Sequence, residues 1–290
     1  MSDSCAVLAR ARAQAALLVV LLVTAVVGLV AAPAGAAAAG PHSDALAALA
    51  RSWQDARAAV TLDRLGLGAA QATLATAQAA YDTVDATVAA GGPTRRLDPR
   101  DGSVGSRALF DARDAALAAR DQAATGVALR GAALIDATQR ATAAEDAVVG
   151  EVRRREHVDA PRLRAAWDAA PDADLDVVAF ALAQAGKPYV FAAAGPDAYD
   201  CSGLTMAAWA TQGAHLAHFA ATQYGQTERI RSNDLRPGDL VFFGDDLGHV
   251  GLYLGGHLMV HAPHTGDVVR IASVNGRDAM RTGRVRIPSG

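Results

Sequence analysis

The stretch "DLVFFGDDLGHVGLYLGGHLMVHA", Asp239 to Ala262, decides the fold. Short runs of Val, Leu, Phe and Tyr are separated by Gly and Asp turn formers, which is the pattern of short β-strands joined by tight turns. "DVVRIASV", Asp267 to Val274, adds a fourth strand. Working towards the N-terminus, "ADLDVVAFALAQAGKPYVF" predicts a helix closed by Gly186, and "DCSGLTMAAWATQG" predicts another closed by Gly213. Helices first and an antiparallel sheet afterwards predict a compact α+β domain over 172–290.

Further upstream the texture is different. From Ser43 to about Ala90 the larger apolar residues, among them Leu46, Leu49, Trp53, Val60, Leu67, Leu74 and Tyr81, recur at helical spacing, with Gly66 and Gly68 as a weak point. "GGPTRRLDPRDGSVG", Gly91 to Gly105, breaks the pattern, and a second helical period runs from Ser106, a candidate N-cap, to about Glu156. Two helices of this length, each about 70 Å long, predict an all-α antiparallel hairpin over 40–157. Its seam is mostly alanine and buries little area, so it is expected to be mobile or to need a partner. Residues 158–171, with Pro161 and Pro171, read as a linker carrying a short helix.

The first 39 residues hold Arg10 and Arg12, an apolar run from about Ala15 to Ala32, and Ala-x-Ala sites ending at Ala36 or Ala39. That order predicts a secretory signal peptide, so the protein is expected to be exported; the membrane is a partner only if the segment stays uncleaved as an anchor. Cleavage removes Cys5 and leaves Cys201 as the single thiol, which excludes an intrachain disulfide in the mature chain. With 27 basic against 30 acidic residues, a net charge of -3 predicts no nucleic-acid partner.

Cys201 therefore needs a chemical account. It stands where a loop becomes a helix, with Asp200 and Ser202 available to cap the first turn, and helix N-terminal amides are expected to lower the thiol pKa. A thiol nucleophile needs a base brought near by the fold. Of eight histidines, His249 opens one predicted strand and His261 lies near the end of the next. A two-residue turn at Gly255-Gly256 puts the two on opposite faces, whereas a three-residue loop, Leu254 to Gly256, sets them directly across from each other. A working pair thus requires an odd-length loop, with His249 exchanging a proton with Cys201 and His261 orienting the ring. His257, His261 and His264 lie close enough in sequence to suggest zinc ligands, but no H-E-x-x-H motif accompanies them, and no metal or other cofactor is predicted.

In order along the chain, "GKPYVF", "YDCSGL", "LRPGDLVFF", "GHVGLYLG" and "MVHAPHTG" resemble the motifs of the NlpC-type cell-wall cysteine endopeptidases, which are papain-like. The resemblance covers about 172 to 290. It implies Cys201 as nucleophile, His249 as base and His261 as the polar third member. It further implies Tyr189 beside the nucleophile and Asp200 and Ser202 lining the substrate groove. The implied substrate is a peptidoglycan stem peptide, cut between D-γ-glutamate and the diamino acid. Phe191-Ala192-Ala193 stands where the family has an aromatic and two glycines, and Leu216-Ala217-His218-Phe219-Ala220 replaces a "Leu-Pro-Arg-Thr-Ser" type segment before Gln223. The helical hairpin is expected to position the enzyme or to inhibit it by covering the groove, in which case removing it raises activity. The alternatives are an amidase on the same fold, cutting between glycan and peptide, and a non-catalytic wall-binding or regulatory coiled-coil protein.

Overall fold

The computed structural model describes residues 41–90, 104–276 and 279–287. The predicted signal segment 1–39, with Cys5, and most of the loop after Gly91 lie outside the described residues. The described chain falls within one compact unit, Ala37–Gly290. Its elements run α1 (Pro41–Ala89), α2 (Val104–Glu156), α3 (Ala160–Asp168), α4 (Asp172–Ala183), α5 (Cys201–Ala210), α6 (Ala220–Gln226), β1 (Glu228–Arg229), a 3-10 turn (Ser232–Asp234), β2 (Leu240–Phe243), β3 (His249–Gly255), β4 (Leu258–His261), β5 (Arg270–Ser273) and β6 (Arg281–Arg284).

Helices α1 and α2 pack along each other as an antiparallel hairpin. Asp85 meets Arg113 at 2.9 Å, and the Arg120 guanidinium sits over Tyr81. Gly66 and Gly68 do not interrupt α1, and α2 begins two residues before Ser106.

The base of this hairpin is not an independent stalk. Leu46, Ala47, Ala50 and Trp53 of α1 and Val148, Val149 and Val152 of α2 belong to the same buried cluster as Val178 and Leu182 of α4 and the inward side chains of the sheet. Trp53 stacks on Trp167 of α3, with ring centroids 4.8 Å apart and planes 2° from parallel. Trp167 donates its indole N–H to the Leu254 carbonyl at 2.6 Å, both groups being buried. Around this stack, Arg57 pairs with Asp176, and Arg51 donates to the Ala183 carbonyl at 3.3 Å. The segment expected to be a linker is therefore a structural wedge: Leu163 and Trp167 fill the space between hairpin and sheet, because two large side chains bury far more apolar area than the alanine seam does.

The sheet has six antiparallel strands in the order β1-β6-β2-β3-β4-β5. Leu240, Phe242, Val250, Leu252, Leu254, Leu258 and Val260 face the helices. Val241, Phe243, Tyr253, Met259 and Ala272 form a smaller cluster on the other side. β1 and β6 are additions to the expected strands. β6 is inserted between β1 and β2, and Gly283 in it leaves room for Thr227, whose hydroxyl oxygen occupies the place a Cβ would take.

The β3–β4 hairpin corrects the expected turn. Tyr253 pairs with Met259 but Gly255 pairs with Leu258, so Leu254 is a bulge and the turn itself is Gly256-His257. The extra residue restores the parity that a two-residue turn would have lost. Continuing the Leu252–Val260 register sets His261 beside Gly251, so His249 and His261 share a face as diagonal neighbours and are not directly opposed.

Candidate active site

Cys201 is the first residue of α5, and its cap is Asp200, whose Oδ1 accepts the Gly203 N–H at 2.6 Å. The same carboxylate accepts the Ser202 hydroxyl at 3.1 Å and lies 2.9 Å from Nε2 of His218, while its Oδ2 accepts the Ala192 N–H at 2.8 Å. One buried side chain thus fixes the helix that Cys201 opens, the loop 190–193 and the segment carrying His218. Gly203 makes the convergence sterically feasible: a Cβ there would stand 2.1 Å from the Ala193 carbonyl oxygen and 2.9 Å from His218 Nε2. Ala192 adopts φ 60, a left-handed conformation that strains an alanine and suits the glycine expected at this place.

The placement of Asp200 and Ser202 departs from the expectation of groove-lining contacts. Both are buried, at 6% and 5% exposure, and their polar atoms are engaged inside the protein, so they hold the floor of the site instead of facing solvent. Ser202 also offers its carbonyl to the Gln223 amide at 2.8 Å; Gln223, fully buried, ties the same helix turn to Ala217. His218 was not singled out in the sequence as a site residue; the unusual 216–220 segment was its only signal.

The thiol sits among backbone donors. The amides of Val250, Ser202 and Cys201 itself act on the sulfur and favour the thiolate, as a helix start should. Burial opposes them and is the largest influence, with the Asp200 carboxylate adding to it, so the Cys201 thiol is pushed up and not down. Tyr189 lies beside it: burial, then the charges of Cys201 and Asp200, push its phenol up as well.

Because the Val250 amide reaches the sulfur, the thiol lies next to the start of β3, where His249 is. Nε2 of His249 lies 2.8 Å from Nδ1 of His261, with the rings edge to face at 5.0 Å. His261 is buried at 1% exposure, which restricts its ring. Gly251 opens the space between them; a Cβ there would press to 2.6 Å from the Met259 sulfur. Phe243, paired with His249 across β2–β3, walls the other side of the imidazole at 6.2 Å. Among the described residues no cluster of three or more His, Cys, Asp or Glu is arranged to hold a metal ion.

The thiol thus stands at a helix start beside a strand-borne histidine pair, and the NlpC/P60 family model matches residues 186–282. These residues are an NlpC/P60 domain. The domain is 42% identical over 93 residues to a probable endopeptidase p60 of Listeria grayi, covering 31% of this chain and 18% of that protein. It is 38% identical over 99 residues to a probable endopeptidase of Mycobacterium tuberculosis, covering 34% of this chain and 26% of the relative. The chain thus spans only about a fifth to a quarter of the length of these relatives. Among solved structures, the NlpC/p60 domain of the peptidoglycan hydrolase SagA is 30% identical, with a TM-score of 0.36 over 39% of this chain and 98% of that one. The NlpC/P60 match begins at Gly186, so the residues that α1, α2 and α3 add to the shared core lie outside it.

Proposed function

We propose that this protein is an exported peptidoglycan hydrolase that cuts a stem-peptide amide, between D-γ-glutamate and the diamino acid, by Cys–His nucleophilic catalysis. The observation that carries the reading is the meeting of Cys201, at the amide-rich start of α5, with the His249–His261 pair at the start of β3 and the end of β4. His249 uses Nε2 towards His261, which leaves Nδ1 as the ring nitrogen for the thiol. A thiol held neutral by burial needs that base during attack: the proton passes to His249 as sulfur adds to the carbonyl carbon. The imidazolium is then stabilised by donating Nε2–H to Nδ1 of His261, and it returns the proton to the leaving amine. Water attacks the thioester with His249 again as base. The Cys201 amide, fixed at the helix start by the Asp200 cap, is placed to donate to the developing oxyanion.

The hairpin, on this reading, is a rigid arm that positions the domain instead of a cover over the groove. Its main contacts fall on α3 and α4, and its base shares their core.

The test is to incubate the purified protein and its Cys201→Ala variant with peptidoglycan and muropeptides and to read the products by mass spectrometry. Stem peptides split within the peptide, absent with the variant, are expected. Intact stems released from glycan would replace the endopeptidase by an amidase, and the absence of any Cys201-dependent product would refute the enzymatic reading.

A further inference from the structure

The catalytic reading also fixes where the leaving half of the substrate must go. An amine that takes its proton from His249 has to lie against that ring, so the residue carrying the amine extends over the histidine side of the site. On that side is an open cleft of about 380 Å³ whose walls include Phe243, Asp246, His249, His261 and Arg270.

Arg270 holds its place there through the sheet. It is the register partner of His261 across β4–β5, which sets their Cβ atoms about 5 Å apart on one face. Its Nε–H donates to Asp267 Oδ2 at 3.0 Å, which orients the guanidinium and commits one of its five N–H donors. The side chain is 46% exposed, so the rest of the fork is open to the cleft and to solvent. Asp246 lies in the opposite loop, its Oδ1 accepting the Gly248 N–H at 3.0 Å. With Asp246 and Asp267 both near, and the Glu156 carboxyl close enough to feel the Arg270 charge, the cleft is not a general anion trap; it sets one guanidinium among carboxylates, with Asp246 on its other wall.

Resting on the peptidase reading, we propose that Arg270 determines specificity by binding a free carboxylate on the leaving fragment. With Asp246 taking the accompanying ammonium, the cleft selects a diamino acid whose side chain ends in a zwitterion over one ending in a carboxamide or in an ammonium alone. Guanidinium–carboxylate bonding supplies the geometry for this choice, since the planar fork matches two carboxylate oxygens.

Three stem peptides with the same acyl side test it, carrying diaminopimelate, its side-chain amide, or lysine. The wild-type protein is expected to favour the free-carboxylate peptide by about tenfold in kcat/KM, the scale of one charge-assisted bond at a half-exposed site. Arg270→Gln should bring the ratio between the peptides close to one, and Arg270→Lys should restore part of it. A uniform fall on all three peptides would make Arg270 a support for the Asp267 turn and overturn the proposal, as would an unchanged ratio. Binding of the same peptides to Cys201→Ala protein, by calorimetry, reads the preference without turnover. An absence of Cys201-dependent hydrolysis sinks the peptidase reading, and equal binding of the three peptides sinks the role of Arg270.

Discussion

Replacing Trp53 tests whether the hairpin and the NlpC/P60 domain fold as one body. Trp53 is fully buried and stacked on Trp167, so Trp53→Ala removes a large side chain from the middle of a shared core. Large-to-small changes of this kind cost about 3–5 kcal/mol, and the lost ring stacking is worth about 0.5–1.5 kcal/mol of that. The indole nitrogens separate the two tryptophans further. Among the described residues Trp53 Nε1 has no hydrogen-bond partner, whereas Trp167 Nε1 serves the buried Leu254 carbonyl. Trp167→Phe should therefore cost about 1–3 kcal/mol more than Trp53→Phe, because it strands an acceptor. Urea unfolding can be followed by far-UV circular dichroism, dominated by α1 and α2, and by the fluorescence of Trp209, buried in α5, which is isolated by comparing Trp53→Phe with Trp53→Ala in a Trp167→Phe background. The expected result is one coincident transition that Trp53→Ala moves in both signals. A Trp209 midpoint that ignores the Trp53 change, or a hairpin that melts separately, would refute the shared core. The same reasoning predicts that residues 172–290 alone, which lack Trp167 and Leu163, are destabilised instead of activated.

Other outcomes follow from the site. His261→Ala should lower kcat roughly a hundredfold with little change in KM, and His261→Asn, which keeps an acceptor, should recover part of it; an unaltered kcat would remove His261 from the catalytic arrangement. In a His249→Ala variant, iodoacetamide alkylation of Cys201 should rise with pH through a midpoint above that of a free cysteine, since burial holds the proton on; a midpoint below it would mean that the three amides outweigh burial. Gly203→Ala should abolish the site's packing, because its Cβ meets the Ala193 carbonyl, and a thermal midpoint near that of the wild type would contradict the geometry. Ala192→Gly should stabilise by about 1 kcal/mol by relieving left-handed strain, measured as a higher urea midpoint.

Much of this protein is written locally. The two long helices follow from apolar spacing, the strands from short β-forming runs between turn residues, and the start of α5 from an acid placed to cap it. Those signals act within a few residues, so Cys201 and both histidines were legible as candidate site residues, as was the need for an odd residue between the histidines. What that residue was did not follow: a bulge at Leu254 and a longer loop satisfy the same parity, and only the β3–β4 pairing chose. The resemblance implies Asp200 and Ser202 as groove residues because motif position carries no burial. Once packed, the carboxylate is worth more as a common acceptor for three segments than as a solvent-facing contact.

The sequence by itself determined the order of elements, the thiol at a helix start, and the histidines that can serve it, since these depend on residue type and short-range periodicity. Tertiary structure decided the net pull on the thiol, where burial overrides the amides, and the fusion of hairpin and domain, where Trp53 and Trp167 meet across more than a hundred residues of chain. It also decided that Arg270 stands beside His261. Burial, stacking and strand register are properties of segments brought together, and no single segment encodes them.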